Sequence, residues 1–237
     1  MPTRAGTEGD HQPPARGGRV APAGSNPHLI IRQGANLPHW RMDGATYAVT
    51  FRLADSLPQE TLVRWKRNRT QIIQQAERAG RPLTSAERRR LDELHDEHID
   101  DWLDHGHGSC LMRDPRIARL VRDAMTHFDG VPYRLLAWCV MPNHAHAVLR
   151  PLQGHDLPKI LLSWKGFTGK RGRELLKTQG QGEFWQKESY DHLVRDSQDL
   201  ANQIQYVLSN PTRAGLVDWP WVGLGSSMTQ PPETGTP

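Results

Sequence analysis

The chain has 237 residues, enough for one well-packed core with extensions or for two small domains at most. Its formal net charge is +4 and its pI is about 9.3, which favours a polyanionic partner. Two cysteines exclude a disulfide framework, and the sequence has neither the apolar core of a secretory signal nor the run of about 20 apolar residues that a membrane helix needs, so we expect a soluble cytoplasmic protein.

Both ends of the chain are expected to be disordered. Residues 1–38 are rich in Pro, Gly, Arg and Ser and have little periodic apolar pattern. Such a segment cannot bury enough apolar surface to offset the entropy lost on ordering. Residues 226–237 have the same character. We therefore predict disordered tails at 1–38 and 226–237, and one folded domain over residues 39–225.

The folded region is predicted to begin with a strand and a long helical insertion. Residues 47–53 alternate side chains and are rich in β-branched and aromatic types. Two charged helices follow, and the second begins at a capping-box pattern, Thr84-Ser-Ala-Glu87. A third helix over residues 114–128 has a capping Asp114 followed by Pro. We assign residues 59–128 as the insertion; its role does not follow from the sequence.

A hairpin is predicted next. Residues 133–140 form an apolar run typical of a buried strand, residues 141–143 supply a Pro-Asn turn, and residues 144–149 form the returning strand. Residues 156–177 then have a helical pattern.

The chain is predicted to end with an extended segment and a helix. The extended segment is Tyr190–Arg195; the helix covers Ser197–Ser209, has its N-cap at Ser197 and is stopped by Asn210-Pro211. The element order β, helices, β, β, α, β, α predicts an α+β fold of the ferredoxin-like split βαβ type. In it, an antiparallel sheet is covered by helices.

One histidine pair lies on the returning strand. Because strand side chains alternate, His144 and His146 point to the same face and could share one metal ion. The alternative is two ordinary hairpin histidines. A second pair, His105 and His107, has the same spacing, but it lies between glycines in a predicted loop, where no strand fixes its geometry.

Two further residues could complete a metal site. Mg²⁺ or Mn²⁺ would require an oxygen ligand besides two imidazoles. Tyr206 and Asn210 are four residues apart and therefore share one face of the last helix, where Asn210 offers a carbonyl oxygen and Tyr206 a phenol. The alternative is that Tyr206 packs in the core and Asn210 merely ends the helix before Pro211.

Three blocks of sequence resemble one known family. They are Met141-Pro-Asn-His-Ala-His146, Phe184-Trp-Gln-Lys-Glu-Ser-Tyr-Asp-His192, and Tyr206-Val-Leu-Ser-Asn-Pro-Thr-Arg-Ala-Gly-Leu-Val217. In this order they resemble the REP-associated tyrosine transposases, which are single-tyrosine HUH nucleases. The resemblance extends from about His39 to Ser227.

The resemblance implies a function and a role for each site residue. The expected function is a bacterial metal-dependent single-stranded DNA endonuclease and strand transferase that acts on REP-type hairpin DNA through a 5′-phosphotyrosyl intermediate. By the resemblance, Mg²⁺ or Mn²⁺ would be bound by His144, His146 and Asn210. Tyr206 would be the nucleophile, with Tyr190 as the runner-up. His192 would contact the metal ligands without binding the metal itself, contact DNA, or have a purely structural role.

A basic, aromatic helix could hold the DNA. Residues that could contact phosphates or stack on bases follow the hairpin: Trp164, Lys165, Phe167, Lys170, Arg171, Arg173 and Lys177. The alternative is a solvated helix face with core aromatics. A second hypothesis is that the whole protein is a domesticated, non-catalytic module, which binds hairpin DNA or has a regulatory role. Either a monomer or a homodimer fits the sequence.

Overall fold

The computed structural model describes residues 30–33, 38–41, 44–95, 101–178 and 182–229. Its strands are β1 (Ile30–Gln33), β2 (Pro38–Arg41), β3 (Tyr47–Arg52), β4 (Tyr133–Val140), β5 (His144–Pro151), β6 (Tyr190–Leu193) and β7 (Val222–Leu224). Its helices are α1 (Gln59–Arg78), α2 (Ser85–His95), α3 (Asp101–Asp104), α4 (Pro115–Thr126), α5 (Leu157–Leu176), α6 (Ser197–Arg213) and α7 (Ser226–Thr229), with a 3-10 helix at Leu111–Arg113.

Most of both predicted tails lies outside the described residues. The parts that are described contain short secondary-structure elements. In the tail predicted over residues 1–38, β1 pairs antiparallel with β2. In the tail predicted over residues 226–237, the first four residues form α7.

A five-stranded antiparallel sheet organises the domain, in the order β6-β3-β5-β4-β7. Apart from the edge strand β7, the sheet contains β6, β3, β5 and β4 side by side. Numbered by their order along the chain, these are the fourth, first, third and second strands. This is the order of the ferredoxin-like split βαβ fold, with α4 linking the first two strands and α5 linking the last two. The predicted fold class is confirmed.

The sheet face under α4 and α5 is the main apolar core. Phe51 of β3 and Leu149 of β5 pack there against Ile117 of α4 and Trp164 of α5. Trp164 also donates a hydrogen bond from its indole N–H to the hydroxyl of Tyr133 (3.1 Å) and meets that ring edge-on. Because the strands alternate their side chains, the histidines of β5 point to the opposite face.

The opposite face of the sheet is covered by α6. Val207 of α6 packs against Ala48, Cys139 and Val148 of the three central strands. The sequence predicted a sheet covered by helices, and in the structure helices cover both faces. The candidate site lies on the α6 face, at the end of the sheet where β5 begins.

The segment predicted as a helical insertion, residues 59–128, contains α1 to α4 and the 3-10 helix. Its last helix, α4, packs on the sheet as the first connecting helix of the fold. The predicted capping box is confirmed: the backbone N–H of Glu87 donates to Thr84 Oγ1, and the backbone N–H of Thr84 donates to the Glu87 carboxylate. The Asp114 cap is also confirmed, since its side chain accepts from Arg116 N (2.9 Å).

The last helix differs from the prediction at both ends. Its N-cap is Asp196, one residue before the predicted Ser197, and the Asp196 carboxylate accepts from Asp199 N. At the other end, α6 continues through Pro211 to Arg213. A proline inside a helix removes one hydrogen bond and introduces a local clash, but Pro211 is buried in the fold. Asn210 is therefore inside the helix.

No helix in the described part of the chain is both long enough and apolar enough to cross a membrane.

Candidate metal and nucleophile site

His144 and His146 are buried at the start of β5. Their exposed fractions are 0% and 2%, and their rings lie 4.6 Å apart, centroid to centroid, at 83°. In the sheet register, His146 lies beside Thr50 of β3 and Cys139 of β4. The structure therefore places both imidazoles on the α6 face, as their spacing predicted.

Each imidazole is held through its Nδ1 atom. His146 Nδ1 is hydrogen-bonded to Thr50 Oγ1 (2.8 Å), and His144 Nδ1 is hydrogen-bonded to Asn143 Oδ1 (2.7 Å). The amide of Asn143 is oriented in turn because its Nδ2 donates to the backbone oxygen of His107 (2.9 Å). Asn143 Oδ1 must then accept from His144 Nδ1, which leaves the lone pair of the neutral ring on Nε2. Metal-binding histidines are commonly held in this way.

Asn210 brings an unusual buried amide to the same face. Its side chain is 0% exposed, and among the described residues neither its oxygen nor its nitrogen has a hydrogen-bond partner. A buried amide without partners costs about 1–3 kcal/mol, so native proteins rarely keep one without a reason. The amide oxygen is a ligand that hard divalent cations accept. The donor set of two imidazoles and one amide oxygen therefore fits Mg²⁺ or Mn²⁺.

This donor set depends on the amide. In the described residues, no three His, Cys, Asp or Glu side chains are grouped so that they could hold a metal by themselves. The alternative pair contributes differently: the His107 ring packs against Trp102, and its backbone oxygen orients Asn143. His105 lies next to it, with the two ring centroids 6.4 Å apart.

Tyr206 lies one helical turn before Asn210 and contacts His146. Its ring meets that of His146 edge-on, with the centroids 5.5 Å apart at 88°. The guanidinium carbon of Arg213 lies 4.7 Å from the centroid of the Tyr206 ring. A cation in this position attracts the ring and would stabilise negative charge that develops on the phenol oxygen.

Tyr190 is farther from the histidines. On β6 it lies opposite Thr50, and Thr50 lies opposite His146 on the other side of β3. Two strand spacings of about 4.8 Å separate the backbones of Tyr190 and His146 by roughly 10 Å. The structure therefore brings Tyr206 into ring contact with His146, while Tyr190 lies two strands away from it.

His192 binds a carboxylate of α6. Its Nε2 lies 2.9 Å from Asp199 Oδ2, and the backbone N–H of Arg195 donates to the same oxygen (3.0 Å). Burial alone would raise the pKa of Asp199, but these hydrogen bonds outweigh it and hold that pKa below its ordinary value. The pair ties β6 to the first turn of α6, which favours the structural alternative for His192.

The seven predicted DNA contacts divide into three groups. Trp164 is 3% exposed and is a core residue, which corrects its assignment to base stacking. Four side chains are exposed on the outer side of the helix and its C-cap: Phe167, Lys170, Arg171 and Lys177. The remaining two, Lys165 and Arg173, line a groove of about 440 Å³ between α5 and residues 183–189.

This groove is built by close packing. Gly172 of α5 lies so near Phe184 that a β-carbon there would come within 2.7 Å of its ring. Lys165 Nζ donates to the backbone oxygen of Lys187 (2.8 Å) and to Ser189 Oγ (3.3 Å). Burial, and after it the nearby charge of Arg52, lower the pKa of Lys165 to about 8.

Several residues of the site gave no signal in the sequence. Thr50 is an ordinary strand residue, and Asn143 was assigned only to a turn. Asp104, at the end of α3, has its Oδ1 4.0 Å from His144 Nε2. It belongs to the charged insertion, where acidic residues are common, so only the folded structure distinguishes it.

Comparison with known proteins gives two significant curated relatives. A Haemophilus influenzae protein with the provisional name REP-associated tyrosine transposase is 30% identical over 105 residues, covering 39% of this chain and 60% of the relative. The REP-associated tyrosine transposase of Escherichia coli K12 is 26% identical over 94 residues, covering 38% of this chain and 53% of the relative. The chain thus spans between about half and three fifths of the relatives it matches.

Solved structures and family models add little to this assignment. A structure of the REP-associated tyrosine transposase bound to a REP hairpin has a TM-score of 0.41 and 17% identity, over 78% of this chain and 79% of that one. A transposase provisionally assigned in Deinococcus radiodurans has a TM-score of 0.33 and 17% identity, over 70% and 88%. No family model matches the chain. The curated relatives nevertheless confirm the resemblance that the three sequence blocks predicted: this chain is related to the REP-associated tyrosine transposases.

Proposed function

We propose that this protein is a metal-dependent enzyme that cuts and rejoins single-stranded DNA, with Tyr206 as its nucleophile. The observation that carries the proposal is the position of the Tyr206 ring against His146, one helical turn from the buried amide of Asn210. These are the residue types that the family resemblance requires, and they converge from two distant parts of the chain.

The metal would be held by His144, His146 and Asn210. A bound Mg²⁺ or Mn²⁺ would polarise the scissile phosphate and orient it for attack. Asn143 and Thr50 would keep the two imidazoles in the orientation that presents Nε2.

Tyr206 would carry out the covalent step. Its phenol oxygen attacks the phosphorus, the bond to the 3′ oxygen of the preceding nucleotide breaks, and the phenolic proton is lost as the leaving 3′ oxygen gains one. The product is a 5′-phosphotyrosyl link and a free 3′ hydroxyl. Arg213, over the ring, would stabilise the phenolate that attack requires. Attack by a 3′ hydroxyl on the phosphotyrosyl bond reverses the step and joins strands.

The substrate class follows from the family resemblance and from the charge of α5. We propose hairpin DNA of the REP type with a single-stranded flank. Exposed Lys170, Arg171 and Lys177 would contact phosphates, and exposed Phe167 would stack on an unpaired base. Lys165 and Arg173 would contact the DNA from the groove beside α5.

The test is covalent capture of a labelled hairpin oligonucleotide with a single-stranded 5′ flank, in the presence of Mn²⁺. We expect an adduct that resists denaturant in the wild-type protein and in Tyr190→Phe, and none in Tyr206→Phe. Tyr190→Phe is the matched control because it removes the same hydroxyl group from the neighbouring β6 strand.

Two outcomes would contradict the proposal. An adduct that survives in Tyr206→Phe would transfer the nucleophile's role to another residue. Hairpin binding without an adduct, under any divalent metal, would favour the second hypothesis, a domesticated binding protein without catalysis.

A further inference from the structure

Two arginines lie side by side on the face of the sheet that holds the candidate metal site. Arg134 of β4 and Arg150 of β5 are direct register partners, and both side chains are exposed. Their neighbours Leu135 and Leu149 point into the apolar core under α4 and α5. Because strand side chains alternate, this arginine pair points to the α6 face, at the end of β5 opposite to His144.

The arginine pair is suited to an anion. The β-carbons of directly paired residues lie about 4.5–5.5 Å apart, and like charges at that spacing repel. Among the residues that the structure describes, no carboxylate forms an ion pair with Arg134 or Arg150. Arg150 Nε donates to Thr46 Oγ1 (3.1 Å), which orients the guanidinium and leaves its terminal nitrogens to another acceptor. The fork of N–H groups on a guanidinium matches the oxygens of a phosphate.

The last helix, α6, runs from the arginine pair to the metal site. Just before α6 begins, the backbone N–H of Val194 donates to the backbone oxygen of Thr46, whose hydroxyl binds Arg150. Near the other end of α6, Tyr206 contacts His146. The helix therefore lies along β5 and spans the distance between the two ends of this face.

The outer side of α6 is poor in negative charge. Its acidic residues are confined to the N-cap and the first turn, where Asp196 caps the helix and Asp199 binds His192. From residue 200 to residue 217 the sequence contains no Asp or Glu. Neutral amides and hydroxyls can contact phosphates without repelling them. The exposed side chains three or four residues apart along this side are Gln198, Ala201, Asn202, Gln205 and Thr212.

The length of β5 sets the distance between the arginine pair and the metal site. His144 and Arg150 are six residues apart on a strand that rises about 3.3 Å per residue, so about 20 Å separate them. Each strand of duplex DNA has one phosphate per roughly 3.4 Å of helix axis, so this distance corresponds to about six phosphates. A stem that begins near the metal site would therefore pass the arginine pair within one helical turn.

This surface suits a double strand better than a single strand. Proteins that hold single-stranded DNA stack its bases on aromatic side chains. The exposed residues on the outer side of α6 are amides, an alanine and a threonine, which offer no ring for stacking. They suit contacts with a phosphate backbone, which a duplex presents on its outside.

We propose that a stem-binding surface, made of Arg134, Arg150 and the outer side of α6, binds the phosphates of the double-stranded stem of the DNA substrate. The inference rests on the proposed function and deepens it. It adds a contact region on the face that holds the metal site to the basic residues of α5, which lie on the other face. Because phosphates carry no sequence information, this surface orients the stem and does not read its sequence.

The test is fluorescence anisotropy of the full chain with a labelled hairpin oligonucleotide, in EDTA. The oligonucleotide has a stem longer than one helical turn and no single-stranded flank. The double variant Arg134→Gln, Arg150→Gln should weaken binding about tenfold or more at low salt. It should also reduce the slope of log affinity against log salt by about 2, because two phosphate contacts are lost. Stems of different sequence should show the same loss.

A matched variant removes the same charge elsewhere. Arg89→Gln with Arg119→Gln replaces two exposed arginines, on α2 and α4, and should bind within about twofold of the wild type. The Arg134→Gln, Arg150→Gln variant should melt at or above the wild-type temperature, because it relieves a like-charge contact. Arg134→Gln alone keeps the bond between Arg150 and Thr46 and should reduce the salt slope by about 1.

Three outcomes would overturn the inference. They are equal losses of affinity in the two double variants, an unchanged salt slope in the Arg134→Gln, Arg150→Gln variant, and binding of a single strand of equal length that depends on the arginine pair as strongly as binding of the hairpin does.

The same measurements separate this inference from the proposed function. A wild-type protein that forms no covalent adduct with Mn²⁺, yet binds the stem through the arginine pair, would overturn the proposed chemistry and support the stem-binding surface. Failure of the wild type to bind the hairpin at all would overturn both.

Discussion

The two faces of the central sheet are made by the same strands and differ sharply in what they bury. Under α4 and α5, strand side chains such as Phe51 and Leu149 interlock with helix side chains in one continuous apolar cluster. Under α6, the apolar contacts of Val207 share the face with two buried histidines and the amide of Asn210. The face under α4 and α5 stabilises the fold by apolar packing. The face under α6 is less stabilising because it also buries polar groups.

The difference follows from the alternation of side chains along a strand. Ala145 and Ala147 of β5 point to the apolar core, so His144 and His146 must point to α6. A single strand thus contributes to both faces without conflict. Substitutions on the apolar face should therefore change folding, while substitutions at the end of the α6 face should change binding and chemistry.

The largest effect is expected from Trp164→Ala on the apolar face. The side chain is buried and hydrogen-bonded to Tyr133, so its removal should destabilise the protein by about 3–5 kcal/mol. Phe167→Ala, on the same helix but 53% exposed, should change stability by no more than about 0.5 kcal/mol and weaken binding of single-stranded DNA. Urea unfolding and fluorescence anisotropy measure the two quantities. Similar stability losses in both variants would contradict the division between core and surface aromatics.

A smaller effect of the opposite sign is expected from Asn210→Leu on the α6 face. Leucine has a similar volume and no polar atoms, so it removes a buried amide that has no partner among the described residues. Stability should stay the same or rise by about 1–3 kcal/mol, while Mn²⁺ affinity should fall by about tenfold or more. Urea unfolding and calorimetry of the same preparation test both. A large loss of stability would mean that the amide serves the fold.

The smallest effect concerns the hydrogen-bonded pair of His192 and Asp199, which joins β6 to α6. The pKa of Asp199 is below its ordinary value in the folded protein. The stability that it contributes is therefore present above its ordinary pKa and is lost as the pH falls through the folded pKa. Unfolding midpoints in urea below about pH 4 should fall more steeply for the wild type than for Asp199→Asn. Parallel pH profiles would exclude a stabilising role for this pair.

Local patterns in the sequence predicted the framework of the fold well. Alternating side chains predicted β3, an apolar run predicted β4, and the turn at residues 141–143 predicted the returning strand β5. Capping residues located the starts of α2 and α4. From these, the order of elements was enough to predict the ferredoxin-like sheet. The same alternation predicted that His144 and His146 share a face.

Features that depend on tertiary contacts were missed. The short edge strand β7 has too few residues for a periodic signal and pairs with β4 only in the folded protein. Pro211 ordinarily ends a helix, but burial of this turn keeps α6 intact. Asp104 is one of many acidic residues in the insertion, and only docking of α3 brings it to His144.

The central claim is that the α6 face holds the nucleophile, and peptide mapping of the covalent DNA adduct tests it most directly. After reaction with Mn²⁺ and a hairpin oligonucleotide, nuclease and protease digestion should leave a 5′-nucleotide phosphate on the peptide that contains Tyr206. The same modification on the Tyr190 peptide, or on any residue of the apolar face, would contradict the account.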